Sequence, residues 1–155
     1  MSRGGESMSR NDVVQDGNGM EQDDPALRKA AAWGTAEAVE RLLDAGTAVN
    51  ARNLGGKTAL HDAAVAGNAA TASVLLERGA NVNATDMEGR TPLHDAAAWR
   101  RIHTVKLLLD RGADVTLRDR NGQTAEDIAR ADGGQQLAEL IRSASQRRDR
   151  GDRAR

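Results

Sequence analysis

Apolar residues recur in short, phased clusters along this 155-residue chain. Ile102, Val105, Leu108 and Leu109 fall on one face of a helix over roughly 102–111, which Gly112 closes. Just upstream, the spacing predicts a short Ala-rich helix over roughly 92–99. Thr91 is a good N-cap, and Pro92 takes the first helical position, where its missing donor would be unpaired anyway. Gly67 is the natural left-handed stop in the equivalent place one unit earlier. Thr124 with Asp127 resembles a capping box, with Asp in place of Glu or Gln. After Gly112, "ADVTLRDRNGQ" reads as an extended, hairpin-like finger turning at Asn121-Gly122; its counterpart "ANVNATDMEGR" turns at Glu88-Gly89.

These elements repeat every 33 residues. "GGKTALHDAAVAGN" at 55–68 lies on "EGRTPLHDAAAWRR" at 88–101. Thr58, Thr91 and Thr124 share that interval, as do Gly56, Gly89 and Gly122, then Gly46, Gly79 and Gly112. The Leu pairs 42–43, 75–76 and 108–109 follow it too. The only two tryptophans, Trp33 and Trp99, are two periods apart, with Ala66 between them. A helix pair this small cannot bury its apolar face alone, so neighbouring units must stack into a solenoid. Ala63, Ala64, Ala96 and Ala97 let successive inner helices approach closely, and the Leu and Val residues of the outer helices supply the core.

At these residues the chain resembles the ankyrin-repeat family. The family pattern (Asp, two variable residues, Gly-x-Thr-Pro-Leu-His-x-Ala-Ala, later Val-x-x-Leu-Leu-x-x-Gly-Ala) is met closely by 86–118. Residues 53–85 meet it with Ala59 for Pro and Asn53 for Asp. The resemblance implies an all-α solenoid of stacked helix pairs with short β-hairpin-like fingers. Repeats are expected at about 24–52, 53–85, 86–118 and 119–142, the first and last being degenerate capping units. Arg100 departs from the pattern: it stands where Gly34, Gly67 and Gly133 stand, at a cost of roughly 1 kcal/mol if its backbone is left-handed.

Composition sharpens this reading. Twenty-eight Ala, 14 Leu, two Trp and no Phe or Tyr suit closely packed helices. With no Cys, disulfides and thiolate chemistry are excluded, which fits a cytoplasmic setting. No apolar run is long enough to span a membrane or serve as a secretory signal. Residues 1–23 carry two Arg against five acids, a net of −3, and residues 143–155 carry five Arg against two Asp, a net of +3. Both ends lack large apolar groups and are expected to be disordered tails around a domain at 24–142.

No catalytic constellation emerges. Adjacent residues on a helix point about 100° apart, so Asp62 and Asp95 cannot readily orient His61 and His94. The resemblance implies instead that both His are structural ties. A metal shared by His61 and His94 would need ligands brought together from stacked units roughly 8–10 Å apart, and His103 lies on the other helix. "ADGGQQ" at 131–136 is a loop signal, and no phosphate-binding loop or nucleophile elbow appears. No enzyme activity, cofactor or metal is expected.

The Trp row ends the inner helix, which in ankyrin repeats forms part of the concave binding groove. Trp is enriched at interface hot spots; the bland alternative packs Trp33 on the first repeat's edge and Trp99 over the next helix. Leu54 and Met87 are apolar at finger tips, where the core has no use for them. The expected binding residues are Trp33, Leu54, Lys57, Val65, Met87, Glu88, Arg90, Trp99, Arg101, Arg120 and Gln123, with Lys57, Arg90, Arg100, Arg101 and Arg120 forming a basic edge. They suggest a monomeric adaptor, inhibitor or regulatory subunit gripping an unidentified protein, with no membrane or nucleic-acid partner expected. The alternative is nucleic-acid or polyanion binding through the Arg-rich tail and the basic edge.

Overall fold

The computed structural model describes residues 23–131 and 133–153, so all but Asp23 of the expected N-terminal tail lies outside the described residues. Eight helices follow in order: α1 (Pro25–Trp33), α2 (Ala36–Asp44), α3 (Ala59–Ala66), α4 (Ala69–Glu77), α5 (Pro92–Ala98), α6 (Ile102–Asp110), α7 (Ala125–Ala131) and α8 (Gln135–Arg153). There is no strand among the described residues. The inner helices α1, α3, α5 and α7 stack in chain order, with α2, α4, α6 and α8 stacked behind them. The expected all-α solenoid is the observed architecture.

Its core follows the period. Leu27, Leu60 and Leu93, 33 residues apart, are each 1% exposed, and each such burial is worth about 2–3 kcal/mol. Leu75, Leu108 and Ile141 do the same on the outer layer, while Ala63, Ala64, Ala96 and Ala97 close the spaces between inner helices. Ile102 departs from expectation. As the first residue of α6 it remains 48% exposed, outside the buried stripe.

The second and third units are each locked by a Thr–His device. His61 Nδ1 accepts from the Thr58 N–H at 3.1 Å and lies 3.0 Å from its hydroxyl; His94 does the same for Thr91. That leaves Nε2 protonated, and it donates to a carbonyl of the next unit: His61 to Arg90 and His94 to Gln123, both at 2.9 Å. One side chain thus caps its own helix and ties two repeats together.

The fingers turn one residue earlier than the sequence suggested. The Gly122 N–H donates to Asp119 O and the Asp119 N–H to Gln123 O, so Arg120-Asn121 are central and Gly122 follows them with φ 76°. Met87-Glu88 and Gly89 repeat this geometry. The reason is the Asp. Its Oδ1 accepts two backbone N–H groups inside the turn, Glu88 and Arg90 on Asp86, Asn121 and Gln123 on Asp119.

The helix–helix turns differ among themselves. Gly67 and Gly133 are left-handed, at φ 75° and 77°, but Gly34 is extended at φ −98°. Arg100 adopts φ 54°, the single non-Gly left-handed residue among those described.

The C-terminal stretch corrects the expectation of a disordered tail at 143–155. Residues 143–153 continue α8, and 154–155 lie outside the described residues. The stretch has no apolar stripe to announce a helix. Arg148 instead reaches back to the end of α6, bonding Ala113 O at 2.9 Å and Leu109 O at 3.3 Å. Glu126 stands where earlier units place the buried Leu and pairs with Arg142 of α8 at 3.1 Å, and also with Arg130. The last repeat therefore ends in charge rather than in open apolar surface.

Candidate functional site

The face built from fingers and inner helices is tied along its finger side by backbone bonds between successive fingers: Met87 N–H to Gly55 O and Arg120 N–H to Glu88 O, both 2.9 Å. Because these bonds occupy the backbone, the side chains at the tips, Leu54, Met87 and Arg120, are left outside. Leu54 is fully exposed and Met87 is 60% exposed. At the other end of the inner helices Trp33 is 78% and Trp99 59% exposed, so neither indole is packed away as the bland alternative required. An inner helix of seven or eight residues, about 11 Å long, stands between the two rows. The apolar groups thus form two rims on either side of a polar floor.

That floor is charge-closed. Lys57 Nζ lies 3.0 Å from Asp86 Oδ2 and 3.2 Å from Asp95 Oδ2. Arg90 Nε lies 3.5 Å from Asp95, and Arg28 Nη1 lies 2.9 Å from Asp62. Burial opposes the ammonium of Lys57, but the Asp95 and Asp86 carboxylates outweigh it and raise its pKa. Burial likewise opposes the Asp86 carboxylate, yet the Arg90 N–H, Lys57 and the Glu88 N–H together lower its pKa. Asp62 goes the other way: burial raises it despite Arg28.

The expected basic edge is therefore largely spent. Lys57 and Arg90 face inward to carboxylates, and Arg101 Nε donates to Val65 O at 2.9 Å, sealing the end of α3. Val65 and Gln123 are half-buried, and the Gln123 carbonyl receives His94. Glu88, Arg100 and Arg120 remain exposed, and neither Arg has an ion-pair partner among the described residues. Lys29 was missed by the sequence reading. It is exposed, lies one period before Asp62, and shares a helix face with Trp33 four residues on. The period alone could have placed it.

Potential metal-ligating atoms of His61, Asp86 and Asp95 lie within 4.8 Å of one another. The ammonium of Lys57 already stands between the carboxylates, and both nitrogens of His61 are used, one by Thr58 and one by Arg90 O. Burial also lowers the His61 pKa, keeping the ring neutral. His94 is spent in the same way, so neither His has a lone pair free for a metal. Among the described residues no helix is long and apolar enough to cross a membrane.

Residues 10–86 and 27–119 match the family model described as ankyrin repeats in three copies, together reaching from 10 to 119 of the 155 residues. No curated protein sequence matches the chain.

Proposed function

Since the chain belongs to the ankyrin-repeat family, whose repeats are protein–protein interaction modules, we propose that it is a non-catalytic adaptor, inhibitor or regulatory subunit gripping a partner protein through its concave finger/inner-helix face. One observation carries this reading. Of the five large apolar side chains exposed among the described residues, four (Trp33, Leu54, Met87 and Trp99) stand on that face. Their sites are fixed by finger-to-finger bonds and Thr–His ties, so docking orders little and a modest set of anchors suffices. With the floor neutralised, Lys29, Arg100 and Arg120 outnumber the nearby Glu88, favouring a partner whose apolar anchors are set in acidic surroundings. The protein acts as a monomer in the cytoplasm.

The test is affinity capture with mass spectrometry, comparing wild type with a Trp99→Ala/Met87→Ala variant. Proteins lost by the variant, while its helicity and melting match wild type, support the reading. Retention of every partner defeats it. Tail-dependent affinity for DNA of any sequence, falling steeply with salt, would favour polyanion binding by α8 instead.

A further inference from the structure

We infer that the cavity between the fingers at 86–90 and 119–123 receives a glutamate side chain of the partner protein, whose carboxylate pairs with Arg90 and Arg120; this rests on the binding role proposed above. The cavity measures about 420 Å³, and Glu88, Arg90, Asp119, Arg120, Gln123 and Ile128 line it. One register earlier the equivalent place is filled by the chain itself: Lys57 lies 3.0 Å from Asp86 and 3.2 Å from Asp95. Advancing 33 residues puts Arg90 on Lys57 and Asp119 on Asp86, but Ile128 on Asp95. The cation is kept and one of its two carboxylates is lost. Asp119 does not make up for it. Its Oδ1 accepts the Asn121 and Gln123 N–H groups, and no ion pair joins it to Arg90 among the described residues.

Arg90 is therefore short of acceptors. Its Nε is buried without a hydrogen-bond partner, 3.5 Å from an Asp95 carboxylate that Lys57 holds more closely. The guanidinium donates no hydrogen bond among the described residues, so its forked donors are available to an incoming carboxylate. Its backbone is already fixed, the N–H by Asp86 and the carbonyl by His61, so little ordering remains to be done on binding. Arg120, exposed and without an ion-pair partner among the described residues, stands at the rim, where Met87 stands one unit earlier. Ile128 sets the length of the ligand. It is 9% exposed yet lies outside the hydrophobic core, and it offers the cavity an apolar wall for the two methylenes of glutamate, of which aspartate has only one. Glu88 is the opposing group, exposed and of the same sign as the ligand.

A random peptide library displayed on phage would be selected against the full chain, and a selected peptide synthesised and titrated by fluorescence anisotropy. The selected peptides should share one glutamate, and glutamine in its place should weaken binding about tenfold. Ile128→Asp supplies the missing carboxylate from the chain itself, so it should weaken the glutamate peptide to the level of its glutamine version, with circular dichroism as the check on folding. Arg120→Gln should weaken binding about threefold and Glu88→Gln should strengthen it about threefold. Both positions are exposed, so these two decide the matter should the Ile128 variant not fold. Peptides that share no glutamate overturn the inference. So does a glutamate whose contribution survives Ile128→Asp and ignores the two exposed substitutions. Peptides that lack the glutamate yet lose affinity for Trp99→Ala/Met87→Ala would defeat this inference alone and leave the partner reading standing.

Discussion

Lys57→Met removes the cation between Asp86 and Asp95 while keeping most of the side chain's apolar stem. The two carboxylates are 3% and 4% exposed, and the ammonium that holds them is 35% exposed. Breaking a fully buried pair costs about 3–5 kcal/mol. Here the partly exposed ammonium is screened, Asp86 keeps two backbone N–H bonds and Asp95 keeps Arg90, so about 2 kcal/mol is expected. For a domain of this size that lowers Tm by about 8 °C. The pH dependence identifies the cause. The Asp86 pKa is depressed, so its stabilisation is present above about pH 3.8 and lost as pH falls through the lower folded value. The Lys57 pKa is raised, so its contribution is present below about pH 10.5 and lost as pH rises through the higher folded value. Guanidinium titrations from pH 3 to 11 should therefore give a bell-shaped difference between wild type and variant, with a plateau across neutral pH. A deficit that is flat with pH would refute the electrostatic account and point to lost packing.

Three further perturbations test the repeat mechanics. Arg100→Gly relieves a left-handed backbone at φ 54° and should raise stability by about 0.5–1 kcal/mol, a gain of a few degrees in calorimetry; unchanged melting would mean the turn is unstrained. Thr71 and Thr104 are one period apart, yet the Thr71 hydroxyl donates to Ala31 O while that of Thr104 is buried without a partner. Thr71→Val should thus cost about 1 kcal/mol and Thr104→Val should be neutral or stabilising, and equal losses in chemical denaturation would contradict the assignment. Burial lowers the His61 pKa, so stability should fall as pH drops below about 6.5, by up to about 1.4 kcal/mol per pH unit from this group. Loss of that slope in His61→Gln, checked by pH-dependent melting, would confirm the origin.

The fold was legible because period, cap and stop are local signals: Thr91, Pro92, His94 and the glycine rows each specify a backbone state within a few residues. The exposed anchors were legible for the opposite reason, since Trp33, Leu54, Met87 and Trp99 are apolar where the period needs nothing apolar. The neutralised floor was not. Lys57 meets Asp86 and Asp95 across 29 and 38 residues, and Arg101 meets Val65 across 36, pairings that exist only once the units are stacked. The helix at 143–153 escaped notice likewise, because Arg148 stabilises it through carbonyls 35 and 39 residues away.

The Thr–His tie reaches forward by the same 29 residues in both places where it occurs, from His61 to Arg90 and from His94 to Gln123. Such a bond is indifferent to how many copies lie on either side of it. A duplicate of 53–85 inserted before Asp86 would find the backbone carbonyl that each Thr–His tie needs at both junctions. In the last unit Glu126 stands where the others bury Leu and is already paired with Arg142 of α8. The array can therefore lengthen from within.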